Sequence, residues 1–179
     1  MEIVYRSCTI KDTEALAAIG ARTFEEAYLK DAGKTLVDQY IADFYRPDMV
    51  LLEMQEPSYF FAAFCGDEMI GYMRLAIRKP GVVYIARMYV LQTWYGKGIA
   101  QELMSIAKQF ALEKDCGVLE LSVWKINHRA IRFYEKCGFM VIGETRFKWN
   151  ETREDEDWEM ELKLNSSSNN PAKTININP

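Results

Sequence analysis

The chain has 179 residues, of which 49% are hydrophobic and 27% are charged, and its formal net charge is −4. This length and composition predict one globular domain with a sizeable core. The acidic balance disfavours nucleic acid as a partner, because nucleic-acid binding needs basic surfaces, and no apolar run approaches the roughly 20 residues of a membrane span.

The cysteine and histidine content limits metal and redox chemistry. Four cysteines lack any Cys-x-x-Cys spacing, and His128 is the only histidine. We therefore expect reduced thiols, no metal site and no cysteine nucleophile. The N-terminal stretch has neither a basic segment nor an apolar signal segment, which predicts a cytoplasmic location.

The first third of the chain predicts one strand followed by helices. Residues Ile3 to Ser7 alternate enough for a short strand. Thr9 to Asp12 has the form of a capping box with Asp in place of Glu, which predicts the start of a helix. The apolar positions that follow favour a helix interrupted near Gly20, and a second helix is predicted from Leu36 to Phe44.

A third helical segment, bracketed by Pro47 and Pro57, precedes a predicted hairpin. Residues 59–64 and 69–77 are rich in aromatic and apolar residues, as strands are. They are separated at Gly66-Asp67, which predicts a hairpin whose loop is longer than two residues.

The most informative stretch is a strand that runs through a glycine turn into a helix. Residues Val82 to Val90 predict the strand, and apolar residues at helical spacing from Ile99 to Phe110 predict the helix. Gly96 and Gly98 lie where that helix begins, so unpaired N–H groups point outward and favour a phosphate group.

Two familiar phosphate loops do not fit this turn. A P-loop requires glycine and Ser or Thr at the positions that Leu91 and Gly98 occupy, and a dinucleotide fingerprint requires a third glycine at Gln101. A generic nucleotide-binding domain is therefore disfavoured.

The rest of the chain completes a mixed sheet. Residues 118–124 predict a strand, a short helix follows Asn127, and residues 141–147 and 156–164 predict two more strands. Hairpins combined with one strand-helix-strand crossover imply an α/β (α+β) mixed sheet over a domain of residues 1–164. Residues 165–179 are polar, and we expect them to form a disordered tail.

Two motifs in this order resemble the GNAT superfamily of acyl-CoA-dependent N-acyltransferases. The glycine turn from Tyr95 to Ala100 has the position of that family's Gln/Arg-x-x-Gly-x-Gly/Ala pattern. The second motif is Asn-x-x-Ala-x-x-Phe-Tyr-x-x-x-Gly-Phe from Asn127 to Phe139. The resemblance covers about residues 3–164 and implies a mixed, mostly antiparallel twisted sheet of six to seven strands flanked by helices.

Further segments are similar to the bacterial PaiA-type spermidine/spermine N-acetyltransferases. They are Thr23–Tyr28, Arg87–Val90, Val123–Lys136 and the ending Asp157–Met160. This resemblance implies an enzyme that transfers an acetyl group to a primary amine, with a polyamine favoured. Direct transfer is expected because no cysteine lies in a nucleophile motif with histidine. The resemblance leaves a homodimer open.

The superfamily resemblance also implies acetyl-CoA as co-substrate. Its implied contacts are Met88, Tyr89, Val90, Tyr95, Gly96, Lys97, Gly98, Ile99, Ala100, Asn127, Tyr134 and Lys136. The turn would hold the pyrophosphate through backbone N–H groups, and the strand end at residues 88–90 would pair with the pantetheine arm through its main chain. Tyr95 departs from the family pattern. Lys97 is one candidate to compensate, and an exposed lysine is the other interpretation.

Tyr134 is the predicted general acid. A tyrosine has a reference pKa of about 10 and is protonated at neutral pH, so it can donate a proton to the leaving thiolate. Asn127 either contacts the coenzyme arm or only caps its helix.

The general base is not assigned. Many relatives have a glutamate on the fourth strand, where this chain has Ala86. Glu25, Glu26, Glu120 and a water chain remain as alternatives.

The acceptor is open as well. The acidic segment Glu151–Asp157 is either a solvated turn or a rim that attracts a polyamine, and Trp149 and Trp158 either bind a cation or pack in the core. Alternatives to a polyamine are a protein N-terminus, a lysine or another small amine. A non-catalytic acyl-CoA sensor is the rival from a different class, and Ala86 and Tyr95 support it.

Overall fold

The computed structural model describes residues 2–164, so the predicted tail at 165–179 lies outside the described residues. Within that range one sheet has the strand order β1-β2-β3-β4-β5-β7-β6. The strands are β1 (Ile3–Ser7), β2 (Ser58–Cys65), β3 (Glu68–Lys79), β4 (Val82–Val90), β5 (Val118–Trp124), β6 (Met140–Lys148) and β7 (Glu154–Lys163). Only the β4–β5 pair is parallel, which confirms the predicted mixed, mostly antiparallel sheet.

Five helices of this range cover the two faces of the sheet. They are α1 (Thr13–Ala32), α2 (Lys34–Phe44), α3 (Pro47–Gln55), α4 (Ile99–Glu113) and α5 (His128–Lys136). The apolar side of α4, with Leu103, Ile106 and Phe110, packs on one face together with Tyr134 of α5. Residues of α1 and α3 pack on the other face. The sheet is thus buried between two helical layers, and the unbroken run of buried residues from Phe60 to Cys65 shows that β2 is covered on both faces.

The predicted interruption of α1 at Gly20 is wrong, since the helix runs unbroken from Thr13 to Ala32. A Cβ atom at Gly20 would lie 2.4 Å from ring carbons of Tyr45, a buried residue. Glycine costs a helix only about 1 kcal/mol relative to alanine, and burying an aromatic side chain contributes about 1.5–3 kcal/mol. Gly20 is therefore a packing site for Tyr45 inside a continuous helix.

The hairpin loop is shorter than predicted. Cys65 pairs with Glu68, so only Gly66 and Asp67 connect β2 to β3. Gly66 has φ +61, the conformation that glycine supplies at the first central position of a type II′ turn. The predicted loop of more than two residues is therefore wrong.

The parallel strands β4 and β5 separate after only three paired residues. Val82, Val83 and Tyr84 pair with residues 118–120, and no later residue of β4 pairs with β5. A register shift on the other edge of β4 leaves Ala86 between the paired residues Ile85 and Arg87, which is the pattern of a β-bulge. Bulges increase local twist, so β4 and β5 diverge and leave a wedge-shaped opening in the sheet.

Among residues 2–164, no helix combines the length and the apolar character needed to cross a membrane. The same residues contain no group of three or more His, Cys, Asp or Glu side chains arranged to hold a metal ion.

Candidate active site

Two cavities meet at the opening between β4 and β5. The first, which we call the wedge cavity, has a volume of about 670 Å³ and is lined by β4, the glycine turn, β5 and α5. The second, the aromatic cavity, has a volume of about 650 Å³ and is lined by α1, α2 and strands β3 to β7. The residues common to both linings are Tyr28, Ala86, Arg87, Tyr89 and Ser122. The sheet is therefore perforated where its two central strands separate.

The glycine turn forms one end of the wedge cavity. Gly96 has φ +77 and Gly98 has φ +81, a left-handed conformation that glycine adopts without strain. Gly98 is the N-cap of α4, so the first N–H groups of that helix have no intrahelical partner. The turn therefore offers backbone donors at the positive end of the helix dipole, which is the arrangement that binds phosphate.

Arg129 supplies a positive charge that the sequence analysis missed. Its guanidinium carbon lies 3.2 Å from the centroid of the Tyr95 ring, and both residues line the wedge cavity. Arg129 thus stacks on Tyr95, the residue at the position where the family pattern has Gln or Arg. Arg129 was visible in the second motif, but its proximity to the turn depends on how α5 packs.

The two lysines among the predicted coenzyme contacts lie outside the lining of the wedge cavity. The ammonium of Lys97 lies 4.1 Å from the centroid of the Trp94 ring, and Lys97 is not part of the wedge lining. Lys136 is exposed at the end of α5, also outside that lining. The other predicted contacts, from Met88 through Tyr134, all line the wedge cavity.

The far half of β4 presents an unpaired main-chain edge to the wedge cavity. Met88, Tyr89 and Val90 pair with β3 on one side and have no β5 partner on the other. Unpaired strand groups are ready to hydrogen-bond an extended ligand. The predicted pairing of residues 88–90 with the pantetheine arm requires such an unpaired edge.

Tyr134 reaches the wedge cavity from α5. It is 9% exposed and lies among the cavity-lining residues. Burial raises the pKa of its phenol, and the nearby phenol of Tyr28 adds to the rise. The hydroxyl therefore holds its proton at neutral pH.

Asn127 fixes the start of the helix that carries Tyr134. Its side-chain oxygen accepts a hydrogen bond from the Ala130 N–H at 3.1 Å, which is an N-cap contact. Asn127 also lines the wedge cavity, so the same residue caps the helix and forms part of the cavity wall.

The three carboxylates suggested as bases have other partners or lie apart. Glu120 pairs with Lys79 at 2.8 Å, and Glu25 is exposed. Glu26 lines the wedge cavity, but its carboxylate accepts the Gln92 N–H at 2.9 Å. The general base therefore stays unassigned.

Aromatic rings surround one end of the aromatic cavity. Tyr28, Trp124 and Trp149 have ring centroids 5.7 to 6.1 Å apart in each pairing. The Tyr28 hydroxyl lies 3.2 Å from the Tyr89 hydroxyl, and these two residues line both cavities. A pair of phenols thus stands at the junction.

The charged residues of the aromatic cavity differ in how they are paired. Glu53 accepts hydrogen bonds from Arg74 at 2.8 Å and from Arg87 at 2.9 Å. Asp157 is 8% exposed, and its Oδ1 has no hydrogen-bond partner among residues 2–164. Burial, followed by the charge of Asp155, raises the pKa of Asp157 to about 6.

Most of the acidic segment is engaged with basic side chains. Asp155 pairs with Arg153 at 3.0 Å and accepts the Trp149 indole N–H at 2.7 Å. Glu156 pairs with Lys125 at 3.0 Å. Trp149 lines the aromatic cavity, whereas Trp158 packs under the Lys125 ammonium, outside that lining. Asp157 is the acid of this segment that combines burial with an unpartnered oxygen.

Several known proteins are similar to this chain in sequence. The profile of the acetyltransferase (GNAT) family matches residues 22–139, a range that includes both motifs. A streptothricin acetyltransferase from Escherichia coli is 29% identical over 125 residues, 69% of this chain and 71% of that protein. The spermine/spermidine N(1)-acetyltransferase of Bacillus subtilis is 31% identical over 70 residues, 38% of this chain and 46% of that protein.

A solved structure has the same fold. The PaiA N-acetyltransferase from Thermoplasma acidophilum, in complex with coenzyme A, superposes with a TM-score of 0.78. It is 23% identical, and the superposition covers 92% of this chain and 100% of that chain.

Proposed function

The chain belongs to the acetyltransferase (GNAT) family and uses acetyl-CoA as co-substrate, and from this premise we propose a direct transfer of the acetyl group to a polyamine such as spermidine or spermine. The observation that carries the proposal is the continuity of the wedge cavity. It begins at the glycine turn, follows the unpaired edge of β4 and ends beside Tyr134.

The residues of the wedge cavity suit the parts of the donor. The N–H groups at Gly98 and Ile99 and the stacked Arg129 bind phosphate oxygens. The free edge of β4 pairs with the amide groups of the pantetheine arm, as one strand pairs with another. Acetyl-CoA supplies an activated acetyl group as a thioester. The main chain near Met88 orients its carbonyl oxygen.

Tyr134 acts as the general acid. The amine nitrogen forms a bond to the carbonyl carbon, the carbon–sulfur bond breaks, and the Tyr134 hydroxyl donates its proton to the departing sulfur. Burial keeps that proton on Tyr134 until the thiolate forms, and it also raises the proton affinity of a thiolate in the same cavity. The proton that the amine loses passes to solvent or to a carboxylate.

Two observations support a polyamine as acceptor. The Bacillus subtilis relative is named a spermine/spermidine N(1)-acetyltransferase, and its match covers 38% of this chain. The aromatic cavity also opens into the wedge from the face opposite α4 and contains the anionic Asp157. The streptothricin acetyltransferase relative supports another amine as the alternative acceptor.

The test is release of free coenzyme A from acetyl-CoA, followed with a thiol reagent. The panel contains spermidine, spermine, lysine peptides, N-terminal peptides and amino sugars, with a control lacking amine. Saturable turnover with polyamines supports the proposal. Turnover confined to another amine rejects the polyamine, and tight acetyl-CoA binding without any turnover indicates the acyl-CoA sensor.

A further inference from the structure

Asp157 occupies an unusual position in the aromatic cavity. It lies on β7, where it pairs with Trp124 of β5 on one side and Thr145 of β6 on the other. Residues paired across antiparallel strands point to the same face, so all three side chains face α1 and α2. Asp157 is 8% exposed, lines the cavity and has an Oδ1 without a partner among the described residues. A buried carboxylate of this kind needs a donor that these residues do not supply.

The surroundings of Asp157 suit a cation. The rings of Tyr28, Trp124 and Trp149 stand together at this end of the cavity, with centroids about 6 Å apart. Aromatic faces attract ammonium groups, most strongly where the cation loses water. A carboxylate beside several rings is therefore a binding site for an alkylammonium group.

The charge balance of the cavity isolates Asp157 further. Glu53 is paired with Arg74 and Arg87, and Glu120 is paired with Lys79. Both of those carboxylates have a cation of the protein as partner. Among residues 2–164, the lining carboxylates without an ion pair are Asp157 and Glu159. Glu159 is half-buried, whereas Asp157 is buried and its Oδ1 accepts no hydrogen bond.

The position of Asp157 relative to the reacting centre decides which ammonium it binds. Asp157 lines only the aromatic cavity and Tyr134 lines only the wedge cavity, with the Tyr28 and Tyr89 hydroxyls at the junction between them. Burial raises the pKa of both Tyr28 and Tyr134, and the charge of Asp157 adds to the rise at Tyr28. A group bound at Asp157 is thus set back from the acetyl group.

We propose that Asp157, with Tyr28, Trp124 and Trp149, binds a second, non-reacting ammonium group of the acceptor. The reacting amine of the same molecule then extends through the opening beside Ala86 into the wedge cavity. This inference rests on the proposed function, and it restricts the acceptor to aliphatic amines with two or more positive charges. Asp157 selects the substrate and is not the general base.

The test compares acceptors that differ by one charge. 1,4-Diaminobutane and butylamine have the same carbon chain, so the ratio of their kcat/KM values reports the second ammonium group. Wild type is expected to prefer the diamine. Asp157→Asn should reduce that ratio by about 10- to 100-fold, because a hydrogen bond between charged groups contributes about 1.5–3 kcal/mol. The loss should appear in KM for the diamine, with kcat nearly unchanged.

Glu156→Gln is the matched control. Glu156 is the preceding residue of the same strand, but it points to the other face and pairs with Lys125. Its variant should keep the diamine preference of wild type. An unchanged ratio in Asp157→Asn, or an equal loss for both amines, overturns the proposal.

The pH dependence gives a second readout. The charged and titratable side chains around Asp157 come from every element that lines the cavity, together with its neighbour Asp155. They are Asp155 and Glu159 on β7, Tyr28 on α1, Tyr40 on α2, Tyr45, Glu53 on α3, Arg74, Arg78 and Lys79 on β3, Tyr84, Arg87 and Tyr89 on β4, Glu120 on β5, and Arg146 on β6. The diamine preference should fall as the pH decreases through about 6, where Asp157 gains a proton. Asp157→Asn should lack this change, and a wild-type ratio that is constant from pH 5 to 8 contradicts the proposal.

Binding without acetyl-CoA separates this inference from the proposed function. Trp124 and Trp149 line the cavity, so 1,4-diaminobutane should change the tryptophan fluorescence of the wild type and not of Asp157→Asn. Such binding in a protein that acetylates no amine keeps the subsite and rejects the transferase reaction. Acetylation of monoamines and diamines with equal kcat/KM keeps the reaction and rejects the subsite.

Discussion

The two cavities differ in the chemical groups that line them. The wedge cavity offers main-chain groups, at the glycine turn and along the free edge of β4, with Arg129 and Tyr134 as additions. The aromatic cavity offers side chains, with rings from α1, α2, β5 and β6 and a carboxylate from β7. Main-chain groups suit a donor that is always the same molecule, whereas side chains can change with the acceptor. We expect substitutions to separate along this division.

The largest effect should come from Tyr134→Phe, which removes the proposed acid and keeps the ring. The kcat should fall about 1,000-fold, within the range that general acids contribute, and the Kd of acetyl-CoA should stay the same. Steady-state kinetics and calorimetric titration measure the two quantities. Tyr59→Phe, a tyrosine packed against Phe110 away from both cavities, is the control. Equal kcat values for Tyr134→Phe and wild type would show that Tyr134 is not the general acid.

Asp157→Asn should stabilise the protein and at the same time impair its selection of the acceptor. The pKa of Asp157 in the folded protein is about 6, above the value of about 3.9 in an unfolded chain, so ionisation of this group opposes folding. The cost is absent below pH 4, grows as the pH rises and is complete above pH 6. One pKa unit corresponds to about 1.36 kcal/mol, so the variant should gain about 3 kcal/mol at pH 7.5 and almost nothing at pH 4.

Urea unfolding of both proteins at the two pH values measures this difference. A variant less stable than wild type at pH 7.5 would mean that the carboxylate serves the fold, contrary to a binding role. Glu156→Gln again serves as the control.

Gly98→Ala should weaken acetyl-CoA binding through the backbone. The φ of +81 costs a residue with a Cβ about 1–2 kcal/mol, and relaxation of the turn misplaces its N–H donors. We expect KM for acetyl-CoA to rise about tenfold, as for the loss of a hydrogen bond to a charged group. KM for the amine should not change.

Gly81→Ala is the matched control for strain, because Gly81 has φ +77, has open space around it and lies outside both cavities. It should lose similar stability and keep the wild-type KM. If both variants raise this KM equally, the effect is global, and the turn has no special role.

Arg129→Ala should have the smallest effect. An exposed charge near the proposed phosphate site contributes less than about 1 kcal/mol, so KM for acetyl-CoA should rise about threefold at low salt. The difference from wild type should shrink in 0.5 M NaCl, because salt screens exposed charges. Arg132→Ala, an exposed arginine of the same helix outside the wedge lining, should behave like wild type. A salt-independent effect would point to packing on Tyr95 instead.

The sequence determined the positions of most strands and the segments that line the wedge cavity. β1, β4 and β5 have the predicted bounds, and the glycine turn and the helix that follows it have the predicted positions. These features are local: hydrophobic periodicity, turn residues and helix starts are readable over a few neighbouring residues. The main-chain groups that line the wedge cavity come with them.

The tertiary structure alone decided the lining of the aromatic cavity. Tyr28 and Tyr89 are 61 positions apart in the chain, yet their hydroxyls lie 3.2 Å apart at the junction. Gly20 interrupts nothing because Tyr45 packs against it, and Arg129 lies near the turn because its ring partner is Tyr95. Asp157 stands out only because its neighbours in space lack a donor for it. Hydrogen-bond partners and burial depend on which distant segments of the chain come into contact. A single sequence does not show those contacts.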